Sequence, residues 1–151
     1  MTWHIRPAAP DDAAVLASNN VAMALETEDL ALDPDVVRRG VQTVFEQDVG
    51  AHFLVACRGE DIVGQLMITT EWSDWRAAVV WWIQSVYVAP EARGSGIYRA
   101  LYERVKQDAR AAGAAGVRLY VDTTNTSAQA VYERLGMQGE HYRVFEAMFD
   151  A

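Results

Sequence analysis

The sequence contains a single cysteine, few basic residues and no long apolar run. One thiol, Cys57, excludes an intramolecular disulfide and a cysteine-rich metal site. No apolar run reaches the roughly 20 residues that a membrane-spanning helix needs. The N-terminus MTWHIRPAAP lacks the apolar core of a signal peptide. These absences predict a soluble protein of a reducing compartment, the cytoplasm if the source is bacterial, with no membrane partner.

Basic charge is also scarce, because 13 Lys and Arg residues face 21 Asp and Glu residues, for a formal net charge of −8. Non-specific nucleic-acid binding depends on basic side chains that meet phosphates, so the composition argues against a nucleic-acid partner. An acidic surface suits a cationic small molecule or peptide, or serves solubility alone. The histidines His4, His52 and His141 are scattered without metal-ligand spacing, so no metal site is predicted.

The periodicity of apolar residues predicts one α/β or α+β domain over residues 1–151, in the order β-α-α-β-β-β-α-β-α-β. The predicted strands lie at 3–6, within 51–72 as a hairpin closed at 58–61, at 77–88, at 117–122 and at 142–149. The predicted helices lie within 9–26 and 32–47, from 97 onward, and at 125–136 with Thr126 or Ser127 as N-cap. In the helix from 97 onward, Ile97, Leu101 and Val105 step by four along one apolar face.

The stretch VYVAPEARGSGIYRALYERV joins the strongest predicted strand to a helix. Gly94 and Gly96 remove Cβ atoms where the backbone turns, which lets a ligand approach the main chain. The N–H groups that open the helix lack intrahelical partners and, with the helix dipole, favour an anion. Arg93 and Arg99 flank the turn and suit phosphate oxygens. The stretch therefore fits a phosphate or diphosphate site, and it fits an ordinary tight turn with two solvated arginines equally well.

Two familiar phosphate-binding fingerprints agree poorly with this turn. A P-loop requires a Lys-Ser or Lys-Thr pair after the glycines, and none follows them. A dinucleotide fingerprint would use Gly94 and Gly96 and finds an acid at Asp122, but Arg99 stands where its third glycine belongs. That fingerprint also comes early in a fold with several later βα units, whereas little predicted sheet follows it here.

A third pattern fits better, since the turn together with NTSAQAVYERLGMQ resembles the GNAT superfamily of acetyl-CoA-dependent N-acetyltransferases. That family's signature has Arg or Gln, two residues, Gly, one residue, then Gly or Ala. Arg93, Gly96 and Tyr98 occupy those places, and Tyr98 departs from the pattern. Asn125 and Tyr132 match the family's downstream element. The resemblance covers essentially the whole chain and implies a mixed, mostly antiparallel central sheet flanked by about four helices.

The resemblance implies acetyl-CoA as co-substrate, with its diphosphate on the turn and its pantetheine arm along the preceding strand. Main-chain groups of Val86 and Val88 would pair with that arm, and an N–H near Val86 would hold the tetrahedral oxyanion. Asn125 would contact the cofactor through its amide. The cofactor-binding residues implied in this way are Val86, Tyr87, Val88, Arg93, Gly94, Ser95, Gly96, Ile97, Tyr98, Arg99, Asn125 and Tyr132.

The implied reaction is direct attack of a primary amine on the thioester in a ternary complex, with Tyr132 as the family's usual proton donor to the sulfur. A thiol with a pKa near ~8.5 is more acidic than a phenol near ~10, so complete proton transfer would be uphill by about 2 kcal/mol. Tyr132 is therefore predicted to act first as a hydrogen-bond donor to the sulfur. Alternatively, Tyr132 is an ordinary residue of an amphipathic helix, with its hydroxyl group in water.

The base that takes the amine's proton is predicted among acids after the first helix and the third strand. The candidates are Glu26, Glu28, Glu71 and Asp74, or a water wire without a dedicated side chain. Glu26 and Glu71 are preferred, because the family's acceptor groove lies between the first helices and the central strands. Each of these carboxylates also fits a solvated surface position.

The acceptor is predicted to be a small-molecule or peptide amine with a positive charge. The segments ALETEDLALD and TTEWSDW combine acids with aromatics, and Trp81 and Trp82 stand on the neighbouring strand. Acids attract ammonium groups and indole faces hold cations, although these two indoles also suit packing on the two faces of a sheet. A non-catalytic acyl-CoA-binding sensor of the same fold, or a subunit whose aromatics serve association such as a homodimer, remains open.

Overall fold

The computed structural model describes residues 2–149. The strands are β1 (His4–Pro7), β2 (Ala51–Arg58), β3 (Asp61–Ser73), β4 (Ala78–Val88) and β5 (Gly116–Leu119). The helices are α1 (Ala13–Glu28), α2 (Pro34–Glu46), α3 (Ile97–Ala111) and α4 (Thr126–Arg134). The chain divides into two compact units, Met1–Leu119 and Tyr120–Ala151, and the single domain over residues 1–151 stays a prediction.

The first unit is built on one sheet with the strand order β1-β2-β3-β4-β5. Strands β1 to β4 pair antiparallel, and β5 joins β4 in parallel. The β2–β3 hairpin closes between Arg58 and Asp61, where Gly59 has a φ of +62°. A positive φ is a conformation that glycine adopts without steric cost. The predicted mixed, mostly antiparallel sheet and its hairpin are confirmed.

Helices cover both faces of this sheet. On one face Leu16 of α1 and Val41 of α2 pack with Val55 of β2 in a buried cluster. The next residue, Ala56, points to the opposite face because side chains alternate along a strand. There α3 packs through its buried residues Ile97, Leu101 and Val105, which are the positions that the four-residue apolar spacing predicted. This face places the N-terminus of α3 beside the end of β4.

The second unit contains α4, and here the predicted element order is wrong at its last step. Residues 142–149 were expected to form a strand, but they have no regular secondary structure. Tyr142, Phe145 and Phe149 are 77%, 91% and 94% exposed. Alternating apolar residues form a strand only where a neighbouring backbone and a covered face complete it. The strand predicted at 117–122 is also shorter than expected, because β5 ends at Leu119.

Candidate cofactor site

The connection between β4 and α3 is a tight turn built on two glycines. Gly94 and Gly96 have φ values of +77° and +85°, a conformation that other residues rarely adopt. The Ser95 hydroxyl donates a hydrogen bond to the carbonyl of Ala92, which closes the turn on itself. Apart from the two chain neighbours of each glycine, no atom of the described residues stands within 4 Å of a Cβ built on it. The outer surface of the turn is therefore open to a ligand.

The turn leads directly into the N-terminus of α3. Gly96 is the N-cap and has no side chain with which to cap the helix. The Ala100 N–H donates to the Gly96 carbonyl at 3.1 Å and so opens the helical ladder. The N–H groups that precede it have no acceptor in the helix, and they belong to Ile97, Tyr98 and Arg99. These groups and the helix dipole make the turn suitable for an anion.

Tyr98 replaces the small residue of the family pattern without blocking this surface. Its hydroxyl oxygen is buried, so the side chain points into the protein. Its main-chain N–H remains in the first turn of α3. The departure from the pattern therefore changes the interior packing beside the turn rather than its outer face.

Strand β4 carries a bulge shortly before the turn. Gln65 of β3 lies opposite Tyr87, whereas Met67, two positions on, lies opposite Gln84. Strand β4 thus has one more residue than β3 in this interval, which is the definition of a bulge. Ser85 sits in it with a φ of +53°, in the left-handed region. Bulges turn backbone groups out of the regular ladder, here next to the residue predicted to hold the oxyanion.

Among residues 2–149, no strand pairs with the end of β4 on the side of β5, where the Val88 carbonyl accepts from Arg93 Nε. The parallel pairing with β5 stops at Ile83, and β4 continues to Val88. The Ala89 N–H donates to the Val63 carbonyl on β3 at 2.9 Å. Because backbone groups alternate along a strand, the N–H and C=O groups of Val88 and Val86 face the other edge. That edge can accept an extended ligand as an added strand.

The guanidinium of Arg93 binds Glu26, so the structure joins a predicted cofactor residue to a predicted base. The pair is bidentate, and the Nη2–Oε2 distance is 2.9 Å. Arg93 Nε also donates to the Val88 carbonyl at 3.0 Å, and the guanidinium lies 5.9 Å from the ring centroid of Tyr87. The hydrogen bond from Arg93 lowers the pKa of Glu26 below its ordinary value. Glu26 is therefore a weaker base here than a free glutamate.

Glu71 also has an arginine partner, Arg118 of β5. The Arg118 Nη1–Glu71 Oε1 distance is 2.8 Å, and the pair crosses over β4. Both preferred base candidates thus carry an arginine partner. Trp81 and Trp82 are half-buried on opposite faces of β4, and Trp81 packs edge-on against His52 at 5.5 Å between ring centroids.

In the second unit, α4 places Asn125 and Tyr132 two helical turns apart. Asn125 is the N-cap, and its Oδ1 accepts from the Ala128 N–H at 3.2 Å. The prediction of Thr126 or Ser127 as cap is therefore wrong by one or two positions. Tyr132 is half-buried near the end of the helix.

Sequence reasoning missed a buried amide cluster on the α1 side of the bulge. Gln65 is fully buried, and its Oε1 accepts from Asn19 Nδ2 at 2.7 Å. Its Nε2 donates to the Leu16 carbonyl and to Asn20 Oδ1, both at 3.1 Å. The cluster fixes α1 against β3 opposite Tyr87. In the sequence, the only signal of this cluster is a glutamine among the apolar residues of β3. A buried polar side chain is usually there with a hydrogen-bond partner, so this signal does not by itself indicate a function.

Within residues 2–149, no group of three or more His, Cys, Asp and Glu side chains is placed to hold a metal ion. Over the same residues, every helix is too short or too polar to cross a bilayer.

Residues 24–137 match the acetyltransferase (GNAT) family. The mycothiol acetyltransferase of Streptomyces scabiei (strain 87.22) is 37% identical over 130 residues, which cover 83% of this chain and 39% of that protein. This chain thus spans 39% of the length of that relative. The aminoalkylphosphonate N-acetyltransferase of Salmonella typhimurium is 28% identical over 101 residues, or 67% of this chain and 66% of that protein.

Among solved structures, a possible acetyltransferase from Clostridium difficile 630 superposes with a TM-score of 0.90 at 36% identity. The superposition covers 100% of both chains. These comparisons confirm the family that the two sequence motifs predicted. The chain belongs to the acetyltransferase (GNAT) family.

Proposed function

We propose that the protein transfers the acetyl group of acetyl-CoA to a primary amine by direct attack in a ternary complex. The observation that carries the proposal is the open turn at Gly94 and Gly96, which starts helix α3 beside the end of β4. A diphosphate offers the charge and the acceptor oxygens that such a helix terminus binds. The family to which the chain belongs supports acetyl transfer as the chemistry.

The pantetheine arm is the second part of the cofactor that the first unit suits. It is an extended chain with two amides, so it can add to the β4 edge through Val86 and Val88 as a strand does. The bulge at Ser85 supports a role for the neighbouring Val86 N–H as donor to the tetrahedral oxyanion. A donor fixed in a strand needs no reorganisation as the negative charge develops.

Two residues of α4, in the second unit, are proposed to act on the cofactor. Asn125 caps the helix with its amide oxygen, so its NH₂ group is the donor assigned to the cofactor. Tyr132 donates a hydrogen bond to the sulfur of CoA as the thiolate leaves. Full proton transfer from the phenol is not required, since a thiol near ~8.5 is the stronger acid.

The acids near the acceptor cannot act as strong bases. Moving a proton from an alkylammonium with a pKa of ~10.4 to a carboxylate near ~4.3 is uphill by about 8 kcal/mol. The guanidinium of Arg93 lowers the pKa of Glu26 further. We therefore assign Glu26 and Glu71 to binding the ammonium group. We propose that its proton passes along water to the bulk solvent, and that the small fraction of neutral amine present at equilibrium attacks the thioester.

The acceptor is proposed to be a small molecule with a primary amine. The names of the mycothiol and aminoalkylphosphonate acetyltransferases support a small acceptor. Because Glu26 and Glu71 each hold an arginine, a cationic acceptor has to share or replace those partners.

The lone buried thiol of Cys57 suits a reducing compartment, so the reaction is assigned to the cytoplasm.

A thiol-release assay with acetyl-CoA and a panel of amines tests this function. The panel contains polyamines, amino acids, aminoalkylphosphonates, aminosugars and peptide amines. At least one amine should release free CoA well above the rate of hydrolysis without acceptor. If the protein binds acetyl-CoA but releases no free thiol with any amine of the panel, it is instead a non-catalytic acyl-CoA-binding module.

A further inference from the structure

The ion pair between Glu26 and Arg93 joins the last turn of α1 to the turn that precedes α3. The two residues are 67 positions apart in sequence. Their side chains are 42% and 45% exposed, respectively, so a ligand at the turn can reach both. An exposed ion pair of this kind contributes little to the stability of the fold. Its position beside the proposed cofactor turn therefore points to a role in ligand binding rather than in stability.

Three of the five N–H groups of Arg93 are committed to partners in the described part of the chain. Its Nε binds the Val88 carbonyl, and Nη1 and Nη2 bind the two oxygens of Glu26. A diphosphate oxygen pair would use the same planar fork of N–H groups as a carboxylate. A bidentate diphosphate contact and the Glu26 contact on that edge therefore exclude each other.

We propose that Glu26 is a positioning residue that holds the Arg93 guanidinium over the turn until the diphosphate of the cofactor displaces it. This inference rests on the proposed function. The Val88 contact keeps Arg93 in place during the exchange, because it uses a different N–H. The displaced carboxylate loses its guanidinium partner and regains its ordinary affinity for a cation. Binding of the cofactor thereby prepares Glu26 for the ammonium group of the acceptor.

Calorimetric titration of CoA into wild type and Glu26→Gln tests the displacement. Removing the competing carboxylate should tighten CoA binding about two- to five-fold, the range set by an exposed ion pair. Glu91→Gln is the matched control, because Glu91 raises the pKa of Arg93 through its charge alone. It should change CoA affinity less than Glu26→Gln does. Equal effects of the two substitutions would reduce the role of Glu26 to general charge and overturn the proposal.

An Arg93→Ala background separates displacement from every other effect of Glu26. There Glu26→Gln should leave CoA affinity unchanged, since no guanidinium remains for the carboxylate to hold. The same gain with and without Arg93 would contradict the proposal. A crystal structure of the CoA complex in which Glu26 still binds Arg93 bidentately would contradict it as well.

These outcomes are distinct from failure of the proposed function. A wild-type protein that does not bind CoA removes the proposed function and this inference together. A wild-type protein that binds CoA, with Glu26→Gln unchanged in affinity, removes this inference alone.

Discussion

Gly64 of β3 lies directly under Ile97, the first residue of α3. A Cβ on Gly64 would stand 2.8 Å from Ile97 Cγ2 and 3.4 Å from Leu101 Cδ1. The missing side chain lets α3 rest on the sheet at the point where the helix leaves the cofactor turn. The height of α3 above the sheet, and with it the position of its N-terminal N–H groups, therefore depends on this contact.

Gly64→Ala should destabilise the protein by about 1–3 kcal/mol, as overpacking in a close-packed core does. It should also weaken CoA binding, because the displaced helix carries the N–H groups that we propose bind the diphosphate. Urea unfolding and calorimetry measure the two effects. Gly40→Ala is the control, because Gly40 lies inside α2 and a Cβ there meets no atom of residues 2–149 within 4 Å beyond its chain neighbours and the nearby backbone of α2. That change should raise stability by up to about 1 kcal/mol, and equal stability of the two variants would refute the packing argument.

Gly96→Ala should weaken CoA binding, because a side chain at a φ of +85° strains the turn. The left-handed conformation costs a non-glycine residue about 1–2 kcal/mol, which shifts the turn away from its anion-binding form. Gly113→Ala places the same strain at φ +79° beyond the other end of α3. It should reduce the free energy of unfolding to a similar extent and leave CoA affinity intact. Similar CoA affinities in the two variants would count against the turn as the diphosphate site.

Tyr132→Phe should lower kcat for acetyl transfer by about 10- to 100-fold, at or below the usual range for a positioned acid. CoA affinity should change little, because the phenol acts on the departing sulfur. Tyr142→Phe, at a residue that is 77% exposed, should keep wild-type turnover. Thiol-release rates across pH measure the effect. Unchanged turnover of Tyr132→Phe at every pH would exclude the tyrosine from the reaction.

The Arg6–Asp12 pair should make stability depend on acid pH. Asp12 accepts from Arg6 at 2.7 and 3.1 Å and from the Ala9 N–H at 2.7 Å. The Arg6 hydrogen bond lowers the pKa of Asp12 from its ordinary 3.8. The unfolded chain therefore binds this proton more readily, so the stabilisation is complete above that value and is lost as pH falls through the lower folded pKa.

Urea unfolding at pH 7 should show Asp12→Asn less stable than wild type by about 1.5–3 kcal/mol, the range for hydrogen bonds to charged groups. The difference should shrink as the pH is lowered below 3.8. Asp11→Asn, at the exposed neighbouring residue, should show neither effect. A difference between Asp12→Asn and wild type that is constant with pH would contradict the role of the ion pair.

Local signals in the sequence were sufficient for most of the first unit. The apolar spacing of Ile97, Leu101 and Val105 depends on helix geometry alone, and those residues are buried as predicted. The glycines at 94 and 96 likewise have the positive φ that their place in the turn required. The strand predicted at 142–149 failed because a strand also needs a partner, which alternation in one segment does not provide.

The contacts that organise the site join distant positions and have no local signal. Glu26 and Arg93 are 67 positions apart, and Glu71 and Arg118 are 47 apart. The sequence around each of these four residues does not distinguish it from an ordinary charged residue on the surface. The bulge at Ser85 depends on the register between β3 and β4, which no single strand encodes. The sequence therefore supplies candidate residues for the site, and it does not supply the partners that these residues have in the structure.

Calorimetric titration with CoA and with pantetheine tests the central claim most directly, since pantetheine keeps the arm and lacks the diphosphate. If the turn and the N-terminus of α3 hold the diphosphate, CoA should bind with measurable affinity and pantetheine at least tenfold more weakly. Equal affinity for the two ligands, or no heat with CoA, would contradict the account.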